Sequence, residues 1–558
     1  MANLSQIKRE QMIAFLEKLK EQHTDDQALI ALNQIEKELT SKKYGLVWEE
    51  HEEKVDVMMK THIPVFTEIN DMEIIGNPES NNYNFLLEGD NLHSLKLLEK
   101  THKGRVDVIY IDPPYNTGTK DFIYDDNIVV DSDGFRHSKW ISFMEHRLRI
   151  AKALLSKSGC IFISIDDNEQ APLKLLCDEI FGDDCFVANI PWRKRTAKSD
   201  VPFGVSQDCE SILCYANSDF KAGVLGKERK YYETDDFPGR PWRFHDLTTQ
   251  RTIEERPNSN FTMINPANGD EYPVNPIRCW AVTKDTFDEY YRADRIIFPG
   301  DYDFLGISKP VLRYWKEDDQ RKAGDDFGIV AMSTYLPCEI VGMTQDGTKE
   351  ITDIFGRKEF SYPKSLRLIK YLIEAASIRN KNAIVLDFFA GSGTTGQAVM
   401  ELNKKDDGNR KFILCTNNEN GICEKVTYQR LKTVISGKRK DGSEYSESVL
   451  ENLKYYKTDY ISKDDDNLYE NIIDHIEEMI QLQYGVKVDG KKYVMIMDDD
   501  EMDELEKKIK EYSDIKAIFL NQDVLLSTSQ EKLLSGLNTY IVPDYYFDFE
   551  LREAGEIW

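Results

Sequence analysis

From Tyr83 onward the sequence alternates short apolar runs with segments of helical period, and this rhythm limits the fold more than any other feature. Residues 84–87 read as a strand, 91 to about 100 as a helix and 106–111 as a strand. After a polar loop, Trp140, Phe143, Met144, Arg147, Leu148, Ala151 and Leu155 recur at helical spacing, with Ser138 as N-cap candidate. A strand at 160–165 and a helix carrying Leu173, Leu176 and Ile180 follow. Strands and helices in alternation bury their apolar faces as a parallel sheet covered by helices.

The rhythm stops near Asn189. Residues 189–356 are rich in Pro, Gly and aromatics, among them Trp192, Trp242, Trp280 and Trp315, and show no regular period, which predicts an inserted domain. The four tryptophans are candidates for a binding face, with buried packing the stronger expectation for any one of them. Alternation resumes with a helix through Leu366, Leu372, Ile373 and Ala376, a strand at 383–386, a helix from Thr395 and a strand at 411–415. The sheet begun over 61–188 is therefore expected to continue over 357–453. Residues 1–60 carry a helical period with many Glu and Lys, which predicts a helical N-terminal arm. Residues 454–558 predict a small α/β module, with strands at 493–497, 516–520 and 539–542. Several domains suit a chain of 558 residues, since one core seldom holds so many.

No run of about 18 apolar residues occurs, and residues 1–20 mix charge with apolar side chains, so the sequence predicts a cytoplasmic protein with no membrane association. The nine cysteines form no C-x-x-C pair and no cluster with histidine, so no metal site is expected. A net charge of -27 argues at first against a polyanionic partner. The acid is clustered, however, as at 464–466 and 498–501, while cations gather at Arg193, Lys194, Arg195 and Lys198 and at 438–440, so a locally positive cleft is compatible with the total.

Two motifs carry chemistry. Asp112-Pro113-Pro114-Tyr115 follows the strand at 106–111 directly, and ligands of open α/β sheets bind at the carboxyl ends of the strands. Two prolines fix the backbone and remove two N–H donors, leaving a ledge of acceptors. An aromatic amine such as that of adenine is a poor nucleophile until both its protons are held by acceptors, and the Asp112 carboxylate and Pro113 carbonyl can supply them. Tyr115 would stack on the face of a base taken out of a duplex. No strong general base is needed, because the proton leaves after the nitrogen has become positive. The second motif is Asp387-Phe388-Phe389-Ala390-Gly391-Ser392-Gly393-Thr394-Thr395-Gly396, between a strand and a helix. Its glycines allow close approach of a ligand, and the helix start favours an anionic group such as a carboxylate. The spacing of Gly391, Gly393 and Gly396 also fits a dinucleotide site, which stays open on the glycines alone; a P-loop is excluded because its lysine is missing.

Together, D-P-P-Y and F-x-G-x-G resemble the amino-methyltransferases of DNA. The catalytic motif comes first and the glycine motif about 275 residues later, an order similar to the permuted β-class. That resemblance implies a Rossmann-like S-adenosyl-L-methionine-dependent methyltransferase fold with an inserted target-recognition domain. Gly89-Asp90-Asn91-Leu92 resembles the family segment whose Asp holds the cofactor adenine; Asp90 or Asn91 can equally cap a helix. Pro363-Lys364-Ser365 resembles a segment that contacts the methionine end, in a departing residue order. The acid expected to bind ribose hydroxyls is replaced by Thr416-Asn417-Asn418-Glu419, which leaves Asn417 and Glu419 as candidates. Over nearly the whole chain the sequence resembles modification (Mod) subunits of type III restriction-modification systems, through DPPYNTG at 112–118, the stretch at 140–155, ISIDDNEQ at 163–170 and the terminal segment 543–558. The resemblance implies adenine-N6 transfer on double-stranded DNA, a homodimer and a restriction (Res) subunit as partner. The alternatives are a solitary adenine methyltransferase, a cytosine-N4 enzyme (disfavoured by Asp112, where that group tends to carry Ser) and a non-catalytic DNA-binding specificity subunit.

Overall fold

The computed structural model describes residues 4–22, 26–40, 53–117, 136–198, 201–509, 512, 514–543 and 546–555. The chain divides into two compact units. The second comprises Lys221–Ser333 with Tyr371–Asn380, and the first the remainder.

A ten-stranded sheet organises the first unit. Its strands are β1 (His62–Glu68), β2 (Ile74–Ile75), β3 (Asn84–Glu88), β4 (Val106–Ile111), β5 (Leu155–Ile165), β6 (Phe186–Arg193), β7 (Cys209–Ala216), β8 (Ile384–Asp387), β9 (Lys411–Thr416) and β10 (Asn452–Ser462). The spatial order is β1-β10-β3-β9-β8-β4-β5-β7-β6, with β2 paired to β10. From β10 to β5 every neighbouring pair is parallel. β1 pairs antiparallel with β10, and β7 antiparallel with β5 and β6. This is a doubly wound, Rossmann-like α/β fold, and the carboxyl ends of β3, β9, β8, β4 and β5 share one edge.

Period-2 alternation within buried strands decides what covers each face. Phe85, Leu87, Ile109, Ile111, Ile161, Ile163 and Ile413 join one core with residues of α4 (Asn91–His102), α5 (Arg136–Leu154) and α6 (Gln170–Phe181). On the opposite face, Gly396 of α9 (Thr394–Asp406) comes so near Phe412 and Leu414 of β9 and Leu431 of α10 (Tyr428–Ser436) that an added Cβ would lie 2.7 Å from Leu431 Cδ2. The third glycine of the motif thus serves helix-on-sheet packing. The expected cap Ser138 falls inside α5, which begins at Arg136.

The N-terminal segment forms α1 (Leu4–Gln22), α2 (Asp26–Thr40) and α3 (Lys54–Thr61). Near the C-terminus, β11 (Tyr493–Ile496), β12 (Ala517–Leu520) and β13 (Thr539–Ile541) form a small parallel sheet. Residues 454–462, expected in that module, lie in β10 of the large sheet, and Ala517, Phe519, Val542 and Phe547 join the main core.

The insert begins later than the sequence suggests. β6 and β7 extend the large sheet through Ala216, so the second unit starts at Lys221 and its continuous part ends at Ser333, against the expected 189–356. Pro191 and the isolated Trp192 hide β6 from a periodicity reading. Within the second unit, Trp242–Asp246, Val311–Trp315 and Ile296–Ile297 form a three-stranded antiparallel sheet. Trp192, Trp242, Trp280 and Trp315 are each at most 2% exposed, so all four are packing residues. Among the described residues no helix is long and apolar enough to cross a membrane.

Candidate active site

β4 and β8 are parallel neighbours, with Val108 opposite Val385 and Ile109 opposite Leu386. Asp387 is therefore level with Tyr110, and Asp112 lies two residues further along the neighbouring strand end, so the two motifs, some 275 residues apart in sequence, meet at the ligand-binding edge. The ledge after β4 is braced from beneath: Trp140 of α5, fully buried, donates from Nε1 to the Pro114 carbonyl at 2.7 Å. Asn116 closes the turn in the left-handed region (φ 55) and donates to buried Glu169 at 2.5 Å, while His137 Nδ1 lies 2.7 Å from the same Glu169 oxygen. DPPYN and IDDNE, separate in sequence, are thus one bonded unit.

A compact group of charges surrounds Asp112. Tyr115 OH lies within hydrogen-bond reach of Asp112 Oδ1 (2.7 Å) and Glu210 Oε2 (3.2 Å). Lys364 Nζ donates to Asp112 and to Tyr115 OH, each at 2.8 Å, and lies 3.4 Å from Glu210. Lys194 donates to the other Glu210 oxygen at 3.0 Å. Burial pushes the Asp112 carboxyl above its usual range, and Lys364 offsets only part of this. At Glu210 burial also acts upward, but Lys364, Lys194 and the Tyr115 hydroxyl together hold that carboxyl below its usual range. Glu210 is the second residue of β7, beside the end of β5, Ser211 facing Ile165. It belongs to no motif, and a single acid in a strand gives no sequence signal. Lys364 is placed against Asp112, where the sequence had suggested the methionine end of a cofactor.

In the second motif, Gly391 (φ 49) and Gly393 (φ 77) occupy the left-handed region, where a side chain would be strained. Gly393 also faces Thr427, whose Oγ1 donates to the Gly391 carbonyl at 2.6 Å. Asp387 is buried and braces the turn, accepting from Phe389 N at 3.0 Å and Thr395 Oγ1 at 2.5 Å. Burial pushes its carboxyl up to about 7. Ala390 N donates to the Cys415 carbonyl at 3.1 Å. Behind the turn, fully buried Arg430 donates from Nη1 to Ser392 Oγ (3.2 Å) and Thr394 Oγ1 (2.8 Å), and its Nη2 lies 3.8 Å from Glu350 Oε2 as an ion pair.

The remaining candidates divide between edge and scaffold. Asp90 caps α4, accepting from Leu92 N at 2.7 Å. Asn91 is buried with both ends of its amide engaged, donating to the Phe388 carbonyl at 2.8 Å and accepting from Arg147 Nε at 2.6 Å. It ties α4 to the glycine turn. Ser365 is buried and donates to the Val341 carbonyl at 2.8 Å. Asn417 is half-buried just past β9 and Glu419 is exposed. The buried acid of this stretch of the edge is Glu88 at the end of β3, bonded to Tyr455 OH and, at 3.2 Å, to Asn418. Among the described residues one trio, Glu53, Asp56 and His146, gathers three donor atoms, but both Glu53 oxygens already accept from Arg147, at 2.6 and 3.0 Å.

Parallel strands presenting an acid-and-proline ledge beside a glycine turn define a class, and the chain belongs to the DNA methylase family, whose model matches residues 106–429. Among individual relatives, it is 36% identical over 387 residues to the type III restriction-modification enzyme StyLTI Mod subunit of Salmonella typhimurium, covering 63% of this chain and 56% of that one. It is 32% identical to the EcoPI Mod subunit of Escherichia phage P1, covering 61% of this chain and 58% of that one. It is also 32% identical to the type II methyltransferase M.KpnI of Klebsiella pneumoniae, covering 67% of this chain and 90% of that one. The chain thus spans less than two thirds of the length of either Mod subunit. Among solved structures, the M1.HpyAVI–SAM complex aligns over 62% of this chain and 98% of that one, at 16% identity and a TM-score of 0.28.

Proposed function

We propose that the protein is a site-specific DNA methyltransferase that modifies the N6 amine of adenine, and that it serves as the modification subunit of a type III restriction-modification system. Double-stranded DNA is its substrate, S-adenosyl-L-methionine its cofactor, a second copy its dimer partner and a restriction subunit its partner in assembly. The observation that carries this reading is the meeting of the Asp112 ledge and the glycine turn on adjacent strand ends.

The residues of the turn fit the cofactor. Gly391 and Gly393 carry no side chain of their own at the start of the helix that opens at Thr394, and the N-terminus of that helix favours a carboxylate-bearing ligand. The span 387–395 and Asp90 would hold it, with Asn417 and Glu419 near its ribose, while Asn91 and Ser365 act through the segments they brace. When bound, S-adenosyl-L-methionine supplies a methyl group activated by a sulfonium.

The chain's own part is to hold the base and its protons. The Asp112 carboxylate and Pro113 carbonyl accept the two amine protons and raise electron density on the nitrogen. Tyr115 supports the extruded base, a contact worth roughly 1–3 kcal/mol. Trp140 and Asn116 keep the ledge from relaxing. Asp112, in place of Ser, favours adenine over cytosine. A cleft of about 780 Å³ in the second unit is lined by Arg229, Arg243, Arg295 and Lys322 together with Asp318 and Asp319, which pair with the three arginines, and this excess of cations over acids supports DNA contact.

The test is incubation with labelled cofactor and DNA, followed by sequencing that detects modified bases. N6-methyladenine in one sequence context is expected. Asp112→Ala should abolish transfer and leave cofactor affinity within about threefold; equal loss of both would assign Asp112 a structural role. The 90% coverage of M.KpnI favours a second reading, a methyltransferase without a restriction partner. Copurification with the product of a neighbouring restriction gene separates the two.

A further inference from the structure

On the reading of Asp112 as acceptor of the amine protons, we infer that the Lys364 ammonium occupies the place of the target amine in the resting enzyme, and that Glu210 is the positioning residue that draws it off when a base enters. Lys364 Nζ bonds Asp112 and Tyr115, the two side chains which that reading assigns to the base. It lies 5.0 Å from the Tyr115 ring centre and 5.8 Å from that of Trp192. Lys364 and Glu210 are 10% and 8% exposed, so solvent screens their charges poorly.

Two physical reasons require the lysine to move. An ammonium–carboxylate hydrogen bond is roughly twice as strong as one with a neutral donor, so an aromatic amine does not take Asp112 while Lys364 holds it. The amine also becomes positive as it gains a methyl, and a second positive charge a few ångströms away in a buried site opposes that step. Glu210 makes the move inexpensive. Its Oε2 is 3.4 Å from Nζ, so a short swing keeps the ammonium paired and leaves no buried charge alone. Glu210 is also the firmer anion, held low by Lys364 and Lys194 against burial, whereas burial prevails at Asp112. With both lysines on Glu210, Asp112 Oδ2 is free for the amine, the Tyr115 hydroxyl holding only Oδ1.

Glu210→Gln keeps the shape and removes the charge. In the full chain, with DNA bearing the context mapped for the parent protein, single-turnover methyl transfer should fall about tenfold or more while cofactor affinity stays within about twofold. With 2-aminopurine placed beside the target adenine, which keeps its C6 amine, the fluorescence rise that reports unstacking on extrusion should shrink, a readout that general loss of structure does not imitate when cofactor affinity and melting temperature hold. Adding Lys364→Met to Glu210→Gln should recover most of the lost rate and the fluorescence rise, because the competitor for Asp112 is gone. A Glu210→Gln rate equal to the parent's overturns the inference, as does a double variant no faster than the single one, since the lysine then takes part in the chemistry. Absence of transfer by the parent to any DNA would instead remove the proposed function, and this inference with it.

Discussion

Replacing Asp387 by asparagine separates the charge of that side chain from its shape. In the native turn its carboxylate accepts two hydrogen bonds, yet burial outweighs them and, with a smaller push from the Asp112 charge, moves the carboxyl from 3.8 up to about 7. An acid with a raised folded pKa keeps its proton in the folded chain at pH values where the unfolded chain has lost it. Its presence costs nothing below about pH 4, destabilises by about 1.4 kcal/mol per pH unit between roughly 4 and 7, and costs a constant amount, on the order of 4 kcal/mol, above that. Asparagine avoids this penalty at every pH. It also exchanges one acceptor for a donor, and Thr395 must turn its hydroxyl or lose a bond worth about 1 kcal/mol. Asp387→Asn is therefore expected to stabilise the fold, with an advantage that grows by about 2 kcal/mol from pH 5.5 to pH 8.5. Urea unfolding of parent and variant at both pH values measures the difference. A difference that does not change with pH would show that Asp387 ionises at its ordinary pKa and would refute the reasoning.

The ledge and the turn give two further predictions. Trp140→Phe strips the Pro114 carbonyl of its donor, which should destabilise by about 1–3 kcal/mol and slow methyl transfer while cofactor affinity holds; unchanged transfer would mean the ledge needs no such brace. Gly393→Ala forces a side chain into a φ of 77 with its Cβ 3.1 Å from Thr427 Cγ2, at a cost of about 1–2 kcal/mol. Calorimetry should show weaker cofactor binding, and an unchanged affinity would exclude the turn from the binding surface.

Strand–helix alternation made most of the large sheet legible, because β3, β4, β8 and β9 are apolar runs of ordinary length followed by recognisable helices. Both motifs stood out because prolines and glycines at strand ends have few other uses. What escaped notice depends on three-dimensional neighbours. Glu210 is one acid in a strand. Arg430 lies in a helix that reads as amphipathic whether or not its guanidinium is buried. Asn91, beside a plausible cap, gave no sign that its amide would join α4 to the Phe388 carbonyl. β6 and β7 are not legible because these antiparallel strands, β6 at the sheet edge and containing Pro191, have no helix between them to set the rhythm.

The order of strands in the large sheet bears on how the molecule is made. β8 and β9 separate β3 from β4, but they leave the ribosome only after the whole of Lys221–Ser333 has been synthesised. Until then the emerging chain has a gap at its centre, with the edges of β3 and β4 open to stray pairing. A polypeptide cut short before residue 411 would possess its acidic ledge and still lack the middle of its own sheet, so competence for chemistry arrives late, with the segment that closes the gap.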